Sequence, residues 1–264
     1  MPNFDRNVAT APYGRTFDRA ATVAVDQGLR AYMLRIYNYM VLGLAITGLA
    51  ALGTYMLSVT SDPTVATAKL RDGLMLTSFG HAVFVGPLKW VFFLAPLALV
   101  FVLSFGIERL KPAVAHVLFW IYAALVGVSL GAIFLVFTHT STVRVFFITA
   151  ASFGALSLWG YTTQRDLTGV GSFLLMGLFG VILASLVNLF MASSALQFAI
   201  SVVGVLVFAG LTAWDTQRLK NEYIYAAMDG ETAERSAILG ALSLYLNFIN
   251  LFTLLLQLLG QRDE

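Results

Sequence analysis

Between Asp166 and Asp215 the chain runs for 48 residues without a charged side chain. A helix needs about 20 mostly apolar residues to cross roughly 30 Å of hydrocarbon, so this run holds two crossings, with a break expected at residues 191–194. Five further charge-free runs each hold one. Arg35 to Asp62 encloses 26 residues (a span at 37–59), Lys89 to Glu108 encloses 18, and Lys111 to Arg144 encloses 32, with a span at 113–137. Arg144 to Arg165 encloses 20 and Arg235 to Arg262 encloses 26, which makes seven spans. Pro96 is expected to kink the short second one. Residues 73–88 are uncharged but short, with three glycines, His81 and Pro87. They read as an interfacial or partly re-entrant lead-in to that span. The fold class is therefore an all-α integral membrane protein, a seven-transmembrane-helix bundle.

Composition agrees. Apolar residues make up 59% of the chain and charged residues 11%, against about 25% charged in soluble domains. Too little polar surface exists to cover a water-soluble particle. There is no cysteine, which excludes disulfides, thiolate metal sites and cysteine nucleophiles. His81, His116 and His139 lie too far apart in sequence to suggest a metal centre, and a net charge of +2 argues against a nucleic-acid partner.

Residues 1–36 read as a polar N-terminal arm and residues 37–264 as the transmembrane domain. The arm lacks the apolar core and cleavage site of a secretory signal, so no segment is expected to be removed. With the N-terminus inside, 11 Lys/Arg fall on the cytoplasmic side and five on the other. That asymmetry predicts a cytoplasmic N-terminus and an outside C-terminus. The connections at 60–89 and 216–235 are too short to fold alone.

Inside lipid the informative stripe is the polar one. Ser243, Asn247, Asn250, Thr253 and Gln257 follow one another by four, three, three and four residues, which holds one face of the last span over about 21 Å. Facing lipid, those amides would be unsatisfied, so this helix belongs inside the bundle, sheathed by the other six. The stripe serves either as interhelical hydrogen-bonding glue or as a hydrated path. Small faces recur on other spans: Gly43, Thr47, Ala51, Thr54 and Ser58; Gly154, Ser157 and Gly160; Gly177, Gly180, Ala184 and Asn188. They predict close helix packing. Residues 127–131 (GVSLG) match a hydrolase G-x-S-x-G, but that motif needs a strand-to-helix turn and this serine sits mid-helix. Packing is the reading.

Asp215 is the one carboxylate attached directly to the apolar end of a span. Either it is an interfacial helix end, solvated and paired with Arg218 or Lys220, or it faces inward as an acid able to attract a cation. Residues 160–167 (GYTTQRDL), 213–217 (AWDTQ) and 244–252 (LYLNFINLF) resemble the Bax inhibitor-1 (transmembrane Bax-inhibitor-motif) family over essentially the whole chain. Residues 26–30 (DQGLR) and 32–40 are similar to its bacterial members. The resemblance implies a bundle with the seventh helix central, acting as a pH-sensitive calcium leak. In that scheme two carboxylates near the cytoplasmic mouth share a proton, and a basic residue at the end of helix two latches onto them. Asp215 matches the helix-six acid, a contact for a transient calcium ion, and Arg109 matches the latch. The helix-seven acid falls on Asn247, so the shared-proton coupling is absent and a weaker or shifted pH response is expected.

Two functions follow. The first is a cation-conducting bundle, calcium-permeable, with Asp215, Asn247 and Asn250 lining the pathway and Arg109 as closed-state partner. The second is a non-conducting membrane protein that modulates other membrane proteins, such as a protease or cell-death and stress factors. An intramembrane enzyme lacks a nucleophile, a metal cluster or a paired acid, so no enzymatic activity and no resident cofactor are expected. The bilayer, a cation and a membrane-protein partner are the expected associates. Similarity to bacterial members places the chain in a bacterial cytoplasmic membrane.

Overall fold

The computed structural model describes residues 13–71, 74–225 and 230–263, with side chains described from residue 27 onward except at 71 and 225. Its elements in chain order are α1 (Tyr13–Ser58), β1 (Val59–Thr60), β2 (Ala66–Arg71), β3 (Leu74–Thr77) and α2 (Ser78–Phe84). There follow α3 (Leu88–Gly106), a 3-10 turn (Ile107–Arg109), α4 (Pro112–Leu130) and the single turn α5 (Ile133–Val136). The chain finishes with α6 (His139–Thr162), α7 (Thr168–Met191), α8 (Ser194–Tyr225) and α9 (Gly230–Leu259). Seven of these helices are long and apolar enough to cross a membrane: α1 from Gln27, α3, α4 continued by α5, α6, α7, α8 and α9.

Helix ends fall where local chemistry stops them. Pro112 opens α4 at a position that needs no amide donor. Thr138 caps α6 by accepting from the Ser141 amide. The long uncharged run breaks at the predicted place: Ala192 adopts φ 48°, and Asn188 Oδ1 accepts from the Ser193 amide at 3.0 Å. A left-handed alanine is strained, and the Asn188 side chain helps hold it.

Two expectations change. The boundary drawn at residue 36 lies inside one continuous helix. Leu29, Tyr32, Met33 and Ile36 are buried in the core at helical spacing, and Arg30 and Arg35 interrupt only the charge-free run, not the apolar face. Residues 73–88 are not a simple re-entrant lead-in either. β3 is the middle strand of an antiparallel three-stranded sheet, order β1-β3-β2, with Val59 opposite Leu76. Only then does α2 begin. Strand pairing satisfies backbone groups that an irregular segment at the membrane edge would leave open. Gly80 lets α2 press onto the backbone of Ser58, where any Cβ would collide.

Helix α9 is the axis. Ala237, Ile238, Ala241, Leu244 and Tyr245 are wholly shielded. The sheath is smaller than six helices: α1, α4, α6 and α8 surround α9, while α3 lies outside on α4 and α7 outside on α8. Small faces do the joining. Gly127 sits on the backbone of Thr47, Gly160 on that of Ala213, and Gly171 under the Trp214 ring. Ser129 stands in the last turn of α4 rather than mid-helix, and it donates to the carbonyls of Leu125 and, across the helix pair, Phe92, so it serves packing.

Candidate functional site: a carboxylate held against the central helix

Asp215 faces inward. Only 4% of it is exposed. Oδ1 pairs with the Arg218 guanidinium one turn further along α8 (2.8 Å). Oδ2 accepts from Ser243 Oγ (2.8 Å) and Asn247 Nδ2 (2.7 Å), both on α9. The two sequence alternatives thus merge: the ion pair to Arg218 exists, but the carboxylate is buried rather than solvated. Such a group is tolerated only when its acceptor sites are filled, and here three donors fill them. Arg218 keeps nearly half its side chain exposed (45%) and lies over the Trp214 ring, 5.2 Å to its centre. It is a tethered counter-ion with its tail in the site and its flank in the open. Lys220, the other candidate partner, donates instead to the Tyr161 carbonyl.

The rest of the α9 stripe divides into two parts. Gln257 Oε1 accepts from Gln197 Nε2 (2.5 Å) and Ser201 Oγ (2.9 Å) on α8, and Gln197 Oε1 in turn accepts from Asn188 on α7. Between the two polar ends, Asn250 donates to the Leu246 carbonyl and Thr253 to the Asn250 carbonyl, each satisfied on its own helix. Phe208, Leu211, Leu251 and Leu254 are buried together at this level. An apolar layer therefore separates the Asp215 site from the Gln257 site.

Arg109 is not at Asp215. It is exposed on the 3-10 turn after α3, and that peripheral helix packs on α4, away from α8. The guanidinium at the carboxylate is Arg218. Arg235, on α9, occupies the neighbourhood of the turn and donates to the Leu110 carbonyl at 3.0 Å.

Sequence reasoning passed over a second polar cluster. Glu234 Oε1 accepts from Tyr39 OH (2.7 Å) and pairs with His116 Nε2 (2.7 Å), while Oε2 takes the Arg35 guanidinium at 2.6 Å. It joins α9 to α1 and α4 over separations above one hundred residues, and no local pattern announces it. The nearest signal was a carboxylate four residues into the last helix.

The residues 213–217 each have a use in the assembled bundle. Trp214 rests on Gly171. Thr216 meets Ser157, which meets Tyr37. Gln217 grips the connection between α6 and α7 at both ends of its amide, donating to the Arg165 carbonyl and accepting from the Leu167 amide, each at 2.8 Å. A motif in which every side chain is spent on an interhelical contact around one carboxylate is a fold signature. The sequence profile of the family described as inhibitor of apoptosis-promoting Bax1 matches residues 29–264. The chain belongs to this family, the Bax inhibitor-1 family. It is 43% identical to a Rickettsia prowazekii protein over the full length of both, and 46% identical to one from Caulobacter vibrioides, again over both full lengths. The Escherichia coli inner membrane protein YbhL is 44% identical over 237 residues, covering 89% of this chain and 93% of that one. As a member of the Bax inhibitor-1 family, the chain is an integral membrane protein in the lipid bilayer.

Proposed function

We propose that the protein is a cation leak, calcium-permeable, that runs along the α8/α9 seam of a bacterial cytoplasmic membrane, with the N-terminus cytoplasmic. The observation that carries this reading is the inward, three-donor Asp215, which α8 holds against the central helix. A cation approaching Asp215 competes with Arg218, whose exposed flank allows it to swing out without dismantling the helix. Asn247 and Asn250 supply polar lining once the helices part. The layer of Phe208, Leu211, Leu251 and Leu254 acts as a dewetted barrier in the arrangement described here. Calcium is cargo, held transiently by one carboxylate. The reading includes no enzymatic step and no cofactor.

With Asn247 in place of a second acid, the response to pH is weak. Purified protein in liposomes with an encapsulated calcium dye tests all of this. Flux should fall with Asp215→Asn, rise with Arg218→Gln, and acquire a steeper pH dependence with Asn247→Asp, because two carboxylates in contact do not both ionise easily. Absence of flux from the wild-type chain would remove the proposal and favour the non-conducting membrane-interaction reading, which the apolar layer across the seam supports.

A further inference from the structure

Helices α1 and α6 both lie against α9 and meet through the Tyr37–Ser157 hydrogen bond, yet their backbones otherwise stand apart. Between them a crevice follows the depth of the bundle as three joined hollows. The first, 640 Å³, lies between Arg30, Tyr37 and Met40 of α1 and Phe153, Ser157 and Tyr161 of α6. The second, 700 Å³, shares Met40 and Phe153 with it and continues to Leu52. A third, 320 Å³, shares Leu44, Gly48, Phe146 and Phe248 with the second and ends near Phe134 and Thr142. From Arg30 to Leu52 the helix rises about 33 Å, the full hydrocarbon depth, so one leaflet's acyl chain fits within it.

The glycines lining the crevice differ from the packing glycines. A Cβ on Gly48 or Gly154 would meet nothing within 4 Å, whereas one on Gly127 or Gly160 would strike a neighbouring helix. The space is open, and apart from the mutually satisfied Tyr37–Ser157 pair its walls are largely apolar. Its mouth is not. Arg30 is exposed there and has no ion-pair partner among the described residues. Tyr161 stands on the opposite wall, and the Lys220 ammonium of α8 donates to its carbonyl at 2.9 Å and sits 5.3 Å from its ring. An apolar slot one bilayer deep, open to lipid and flanked at one end by two cations, has the shape and charge of a phospholipid site.

We propose that the α1/α6 crevice holds one phospholipid, its acyl chain along Met40, Phe153 and Phe248 and an anionic headgroup at Arg30. This lipid fills the gap that α1 and α6 leave between them beyond their Tyr37–Ser157 bridge. The inference is independent of the leak, because its readout is bound lipid rather than ion flux.

Native mass spectrometry of the full chain, exchanged into mild detergent with equal phosphatidylglycerol and phosphatidylethanolamine, provides the test. The wild type should retain one phospholipid and prefer phosphatidylglycerol. Arg30→Gln should reduce that preference about fivefold, the factor expected for one basic residue at an anionic headgroup. Gly154→Phe should empty the site while leaving the melting midpoint unchanged. If Gly154→Phe instead lowers the midpoint, Arg30→Gln alone decides. Retention unaffected by a folded Gly154→Phe, or headgroup preference unaffected by Arg30→Gln, would overturn the proposal. So would efficient disulfide dimerisation of Gly154→Cys, introduced into a chain with no cysteine of its own, because it would give the crevice to a second copy.

Discussion

The central helix has two seams of opposite character. Along α8 it is stitched at both ends, Asp215 to Ser243 and Asn247 at one and Gln197 and Ser201 to Gln257 at the other, and the helices are tightly joined. On the other side α1 is tied to α9 by Tyr32–Ser236, Tyr39–Glu234 and Thr47–Tyr245, but α1 and α6, apart from their Tyr37–Ser157 bridge, leave a largely apolar crevice between them. In water the second seam would close first. In lipid it does not, because acyl chains solvate leucine and phenylalanine as well as other side chains do, and only hydrogen bonds and close backbone packing favour helix over lipid.

That contrast can be broken by substitution. Gly160→Leu places a side chain against the backbone of Ala213 and should cost about 3 kcal/mol or prevent assembly, whereas Gly48→Leu, in the open crevice, should leave the melting midpoint of the purified protein unchanged. A loss of stability at Gly48 would show the crevice to be a packed interface. Asp215→Leu strands the Asn247 amide while Arg218 extends into solvent. Denaturation in detergent should register a loss of about 1–3 kcal/mol. Gln257→Leu, on the same seam but with only neutral partners, should cost about 1 kcal/mol by the same measurement.

The smallest effect lies outside the membrane. Asp166 is held below the ordinary carboxylate range by the Thr168 hydroxyl and then the Thr168 amide, both donating to it ahead of α7. A carboxylate with a lowered value stabilises the fold above its unfolded range and loses that contribution as pH falls through the lowered value. Measured against its intrinsic rate at each pH, the Thr168 amide should therefore lose exchange protection in acid, and Asp166→Ala should leave that protection low and constant across the window.

Seven spans could be read from the sequence because lipid forbids unpaired charge, so the gaps between Lys, Arg, Asp and Glu measure helices directly. The same rule hid the start of α1. Arg30 and Arg35 end the charge-free run, although Leu29, Tyr32, Met33 and Ile36 already mark a buried face at helical spacing. The Asp215–Asn247 contact was accessible through the polar stripe and the motifs that carry the family resemblance. The Arg218 pairing was one of two readings, and burial turned an interfacial group into an interior one. Glu234 with Arg35, Tyr39 and His116 was invisible, since each residue is ordinary alone and only the placement of α1 and α4 around α9 unites them. Arg109 failed as a latch for the same kind of reason: whether a helix is central or peripheral is a property of the assembled bundle.

Gln217 follows Asp215 by two residues on α8, and its amide is locked to Arg165 and Leu167. Turning α8 about its axis to release the carboxylate would turn that amide through the same angle, so the strand of backbone leading into α7 must either tear free or travel with it. Because Trp214 is wedged between Gly171 and Arg218, its indole emission would record that journey. An outlying helix with no part in the acid's surroundings is thus geared to it, and a naturally placed fluorophore sits at the gear.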